Sequence, residues 1–234
     1  MIKLTRITPA KAFWLKVTLH LTALMLLIVT YYQAFTDQLG AEPVKAILHF
    51  TGIDAFNLLL ISLLISPLAR YLRQGQLVSL RRPTGLYAFT YAACHFASYL
   101  IFELQFEWSL LLSEILERPY ISVGFVALLI LTILAITSTK SIQIRMGRAW
   151  QKTHNWVYVA SLLVALHYIW SVKSELVQPI IYVLLLFILL ATKKAKFLKP
   201  FKLVFNKRAK TQQTKKKACM MIYTVLLYIQ PLYI

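Results

Sequence analysis

Three histidines fall among residues that are almost wholly apolar. His95 sits in "TYAACHFASYL", and His154 and His167 share "QKTHNWVYVASLLVALHYIWSVK". An imidazole placed in hydrocarbon leaves a polar ring to satisfy, so such a residue is a functional-site candidate by default. Neutral imidazole is the commonest metal ligand and also an axial ligand of haem iron. The plain alternative is a ring that hydrogen-bonds a carbonyl or hydroxyl inside a helical bundle. Which reading applies depends on the elements that carry the three rings.

Those elements read as membrane spans. The 234 residues are 59% hydrophobic, with a mean hydropathy of +0.65. Several uncharged apolar runs are long enough to cross a hydrocarbon core of about 30 Å. Strand-like alternation is absent, and backbone exposed to lipid must bond within itself, which leaves helices. The fold class is therefore all-α, a polytopic membrane bundle of about six spans. They run Phe13–Phe35, Ile53–Leu72, Thr84–Leu104, Tyr120–Thr139, Thr153–Val172 and Leu176–Thr192, the last being short. The first lacks a small-residue cleavage site and is expected to stay attached. No internal repeat stands out.

Charge sets the expected direction. All but three of the 26 basic residues fall at the N-terminus, in the second and fourth connections, or after Thr192. The opposite side is assigned Lys45, Arg118, Lys173 and all eight acids, Asp54 among them. Lys/Arg-rich loops stay cytoplasmic, which places both termini inside. The net charge of +18 then reflects topology and anionic lipid, not nucleic acid. Residues 1–192 form the expected membrane domain. Residues 193–234 form an expected basic cytoplasmic tail, read as lying on the membrane surface, that ends in "ACMMIYTVLLYIQPLYI".

Spans three and five run the same way, with His95 about halfway along one and His167 about two thirds along the other. A haem would fit edge-on between them. His154 lies about 19 Å from His167 in height and about 140° around the helix, so the two do not serve one iron. His154 is an alternative ligand or part of a second site. His20 belongs to the inner half of span one, and His49 to the outer interface. Arg81 and Arg82, at the inner mouth of span three, suit propionates or a flavin phosphate as well as a topological role. Cys94 and Cys219 make no C-x-x-C-H, so covalent haem attachment is excluded. No G-x-G-x-x-G follows a strand, so no soluble NAD- or FAD-binding domain is expected.

The stretches "GAEPVKAILHFTG", "LLISPLARY", "RRPTGLYAF", "ERPYISVG", "LAITSTKSIQIRMGRAWQKTHNWVY" and "HYIWSVK" resemble, in order, the MsrQ (YedZ) family. That family is the haem-bearing membrane subunit of a periplasmic methionine sulfoxide reductase system, within the ferric-reductase-like transmembrane group. The resemblance covers about residues 10 to 195. It implies a b-type haem, FMN, electrons from the quinone pool or a flavin reductase, and delivery to a molybdenum-containing MsrP partner across the bacterial inner membrane. The family's histidines fall on His95, His154 and His167. In the oxidase relatives span three carries a second ligand about fourteen residues from the first; here Arg81 stands fourteen before His95. The rival reading is a histidine-lined proton or divalent-metal transporter, which would show midplane carboxylates or interrupted helices. A quinone- or flavin-handling enzyme without a protein partner would use most of the same residues.

Overall fold

Proline starts three of the long helices. In the computed structural model, which describes residues 6–36, 38–172 and 176–192, α1 spans Pro9–Phe35, α2 Pro43–Tyr71 and α5 Pro119–Ile136. Each has proline in its first turn, where the missing N–H costs nothing. Thr8 caps α1 by accepting from the Lys11 backbone N–H. A 3-10 turn at Gly75–Leu80 leads into α3, Arg81–Ser98, which continues as a π-helical turn over Tyr99–Glu103. Then follow α4 at Trp108–Glu117, α6 at Lys140–Met146, α7 at Arg148–His154, α8 at Val157–Ser171 and α9 at Val177–Thr192. Gly147 joins α6 to α7 at φ +51°, ψ −121°, a conformation that suits glycine.

Two helix pairs form the centre. α2 packs most extensively on α3, and α5 on α8. Ala88 on α3 and Ala160 on α8 are fully buried. Tyrosine hydroxyls hold α1 against α3: Tyr91 donates to the Ala23 carbonyl at 2.6 Å, and Tyr31 meets Ser98 at 2.6 Å. These partners climb together along both helices, so α1 and α3 run parallel. Gln74 ties the chain start to the turn before α3 by accepting from the Ile7 N–H at 2.8 Å. α9 joins α2 through Tyr182, which donates to Asn57 at 2.8 Å.

The outward faces are apolar. Leu21, Met25 and Ile28 of α1 are each more than half exposed, as are Ile133 and Ile136 of α5. Such patches would drive aggregation in water and suit a lipid surround. α1, α2 and α5 are long and apolar enough to cross a membrane.

All six expected spans have a helix, with differences at their ends. α2 begins ten residues before Ile53, because Pro43 opens the helix and "VKAILHF" continues it. The fifth span breaks at Asn155–Trp156, so His154 closes α7 and lies outside α8. α4, α6 and α7 are too short to cross a membrane and were not expected as helices. Asp54 lies within α2, and its carboxylate accepts from Asn57 at 3.0 Å. The chain divides into two compact units, Met1–Leu189 and Leu190–Ile234. The expected surface helix and apolar end of the tail lie outside the described residues.

Candidate functional site

His95 and His167 face each other across the bundle. Their ring centroids are 6.3 Å apart and their planes stand at 82°. Nδ1 of His95 lies 2.9 Å from the Leu48 carbonyl of α2, and Nδ1 of His167 lies 2.7 Å from the Tyr120 carbonyl of α5. A carbonyl only accepts, so in both rings Nδ1 carries the proton and donates. Nε2 then keeps its lone pair, the form in which imidazole binds a metal. A donated second N–H also fixes ring orientation and raises ligand basicity. Thr51 adds a longer contact on one side only, with its Oγ1 at 3.4 Å from His95 Nδ1.

Each ring also lies against a glycine. A Cβ on Gly52 would come within 3.1 Å of the His95 ring, and one on Gly124 within 2.6 Å of the His167 ring. Both imidazoles thus press against bare backbone on the helix that supplies their acceptor. Sequence reasoning missed these four positions, Leu48, Gly52, Tyr120 and Gly124. The available signal was a glycine inside an apolar helical run, which often marks a close approach.

Two neutral imidazoles at this separation suit the iron of a haem. An imidazole–metal bond of about 2 Å puts the ring centroid about 3 Å from the metal, so two opposed ligands have centroids about 6 Å apart. The observed separation matches. Two imidazoles alone leave the remaining positions of a metal to another donor set, such as a macrocycle. Among the described residues no group of three or more His, Cys, Asp or Glu side chains converges as a self-sufficient ion cage.

The same four central helices line a small cavity of about 90 Å³, with Arg81, Arg82 and His154 in its wall. Among the described residues neither arginine joins an ion pair; the pairs are Lys45–Glu42 and Arg118–Glu114, each at 2.9 Å. An unneutralised guanidinium in a cavity wall suits an anionic group of a ligand. His154 is presented differently from the pair. Its Nε2 is 3.2 Å from Thr137 Oγ1, and its ring stacks on Trp150 at 4.0 Å. Trp150 in turn donates to the Thr137 carbonyl at 2.9 Å. The structure therefore brings His95 and His167 together and sets His154 with the two arginines.

The other candidates have separate partners. His20 is exposed on α1 and its Nδ1 meets the Tyr87 hydroxyl at 2.9 Å; His49 is exposed on α2. Arg118 pairs with Glu114, whose carboxylate also accepts from Tyr99 at 3.1 Å.

A helical membrane bundle with facing histidines on two central helices defines the class, and residues 51–165 match the family model of the ferric reductase like transmembrane component. That stretch contains Gly52, His95, Gly124 and His154. The chain is 44% identical over 193 residues to the protein-methionine-sulfoxide reductase heme-binding subunit MsrQ of Klebsiella pneumoniae (strain 342), covering 82% of this chain and 97% of that protein. It is 46% identical over 193 residues, with the same shares, to the MsrQ of Enterobacter sp. (strain 638). The chain belongs to the MsrQ family. No solved structure matches it.

Proposed function

We propose that this protein is the membrane electron-transfer subunit of a methionine sulfoxide reductase system, holding a b-type haem between His95 and His167. The facing imidazoles with both Nδ1 protons held by backbone carbonyls carry the reading. The haem, when bound, supplies one-electron chemistry; the protein supplies ligation, orientation and burial. The Leu48 and Tyr120 carbonyls fix the tautomer of the two ligands. His154 is a further ligand or part of a second cofactor site, and Arg81 and Arg82 neutralise haem propionates or an FMN phosphate there.

Electrons enter from a quinol or a flavin reductase and leave to a periplasmic MsrP-type molybdenum subunit. Reducing a methionine sulfoxide consumes two electrons and two protons and releases water and methionine. Oxidising one quinol to quinone releases the matching two electrons and two protons. The setting is the bacterial inner membrane with both termini cytoplasmic. Residues 1–192 form the haem-binding domain and residues 193–234 the basic tail.

One observation favours a proton- or cation-carrying role instead. Asp54 lies inside a span, where a carboxylate is expensive and marks transport paths. It is hydrogen-bonded to Asn57 and through it to Tyr182, a linked set that also serves plain helix packing. The deciding test is anaerobic. The purified protein, reduced by a quinol analogue or a flavin reductase, should show a haem spectrum. That spectrum should return to the oxidised form only when MsrP and methionine sulfoxide are both present. A purified protein with no Soret band defeats the proposal.

A further inference from the structure

The two ligand sites are built alike, and the likeness has a register. Leu48 and Tyr120 each lie 47 residues before the histidine they hold. Gly52 and Gly124 each follow that acceptor by four residues, one helical turn, on the same helix face. Adding 72 to 48, 52 and 95 gives 120, 124 and 167. The same shift carries α2 onto α5 and α3 onto α8, the two closely packed pairs. It also carries buried Ala88 onto buried Ala160, and Gly75, before α3, onto Gly147, before α7.

The cavity obeys the same register. Its lining includes Leu59 with Leu131, Arg82 with His154, and Gly85 with Val157, each pair 72 residues apart. Equivalent positions of the two halves thus line one cavity. Sequence identity between the halves is thin, which is why no repeat was expected; the repeated contacts carry the relationship. Membrane proteins commonly place a site at the interface of such internal repeats.

We infer that the centre of this protein is a duplicated helix pair, α2–α3 and α5–α8, in which Gly52 and Gly124 are positioning residues for the two axial imidazoles. This rests on the reading of His95 and His167 as haem ligands. Each glycine leaves the face of its helix bare beside the carbonyl one turn earlier. The partner helix can then come close enough for an imidazole to reach that carbonyl across the gap. A methyl group there must move the ring, the helix, or both.

The halves also differ at defined points. Thr51, beside His95, corresponds to Val123, which has no hydroxyl; Arg82 corresponds to His154. Duplication thus supplies a matched pair of imidazoles at one level and an arginine with a histidine at the other. The clearance differs too, with 3.1 Å at Gly52 against 2.6 Å at Gly124. The second site therefore has less tolerance for an added methyl.

The experiment uses the full-length protein purified in detergent, as wild type, Gly52→Ala, Gly124→Ala and Gly75→Ala. The last is a control, since a Cβ at Gly75 meets nothing within 4 Å. Haem stoichiometry, the low-spin electron paramagnetic resonance signal and the midpoint potential are read on each. Gly124→Ala should lose most of its haem. Gly52→Ala should keep haem but with a shifted low-spin signal and midpoint potential, and Gly75→Ala should match wild type. A loss of fold alone would lower yield and helicity without altering the signal of the haem that remains. If Gly124→Ala fails to fold, the milder Gly52→Ala decides the matter by its shifted signal. Wild-type stoichiometry, signal and potential in Gly52→Ala overturn the inference, as they do in a folded Gly124→Ala. His95→Ala run alongside separates the two layers. If it keeps the wild-type signal, the ligand assignment fails; if it loses the signal while the glycine variants do not change, only the positioning role fails.

Discussion

Tyr91→Phe should weaken the bundle by a small, calculable amount while leaving the ligand pair untouched. The Tyr91 side chain is fully buried one helical turn before His95, and its hydroxyl donates to Ala23 of α1 at 2.6 Å. Phenylalanine keeps the ring and its contact with Phe50, at 6.1 Å between centroids. Only the hydroxyl goes. The Ala23 carbonyl still has its own helical N–H, so no acceptor is left orphaned. Side-chain hydrogen bonds between membrane helices average about 0.6 kcal/mol and reach about 1.7. A short, fully buried one belongs in the upper half of that range. The expected cost is about 1 kcal/mol, roughly a fivefold change in the unfolding equilibrium. Tyr91→Ala, which removes the ring as well, should cost about 3–5 kcal/mol. Denaturant or thermal unfolding in detergent, followed by circular dichroism, measures both costs, and the haem spectrum reports the ligand pair. Because His95 is held from α2 and not from α1, the Tyr91→Phe spectrum should equal that of wild type. A loss above about 3 kcal/mol, or a changed axial-ligand spectrum, would show that α1 sets the histidine and would refute the reasoning.

Three further outcomes are expected. His154→Ala should keep the spectrum of the His95–His167 haem in a difference spectrum; loss of all haem would place His154 in that pair. Arg81→Ala combined with Arg82→Ala should lower the content of any second cofactor, measured as haem and flavin per protein, and spare the bis-imidazole signal. A double variant equal to wild type in both contents would leave the arginines a purely topological role. Asp54→Asn should retain haem and electron delivery to methionine sulfoxide. If it instead abolished ion or proton uptake into proteoliposomes made with wild-type protein as reference, the transporter reading would gain the site.

The spans were legible because hydrocarbon demands long apolar runs, and the pair His95–His167 because an imidazole stands out within one. The start of α2 was not, since Lys45 and His49 made "PVKAILHF" read as a connection although it forms helix continuously from Pro43. The break before Val157 was hidden because Trp156 and Val157 continue the apolar character through the turn. The glycines escaped notice because their partners lie 43 residues away in sequence, and only tertiary packing places a ring against each. The duplication was illegible by eye: most repeated positions differ in residue type, and what repeats is a backbone carbonyl, a bare helix face and a ring. His154 illustrates the limit of span-counting, since its role depends on whether it joins α8 or closes α7.

The most direct measurement is the reduced-minus-oxidised absorption spectrum of purified wild type beside His95→Ala, His167→Ala and His49→Ala, each normalised to protein. The account predicts a b-type α-band in wild type and His49→Ala, and its near-complete loss in both other variants. Wild-type amplitude in either His95→Ala or His167→Ala would contradict it.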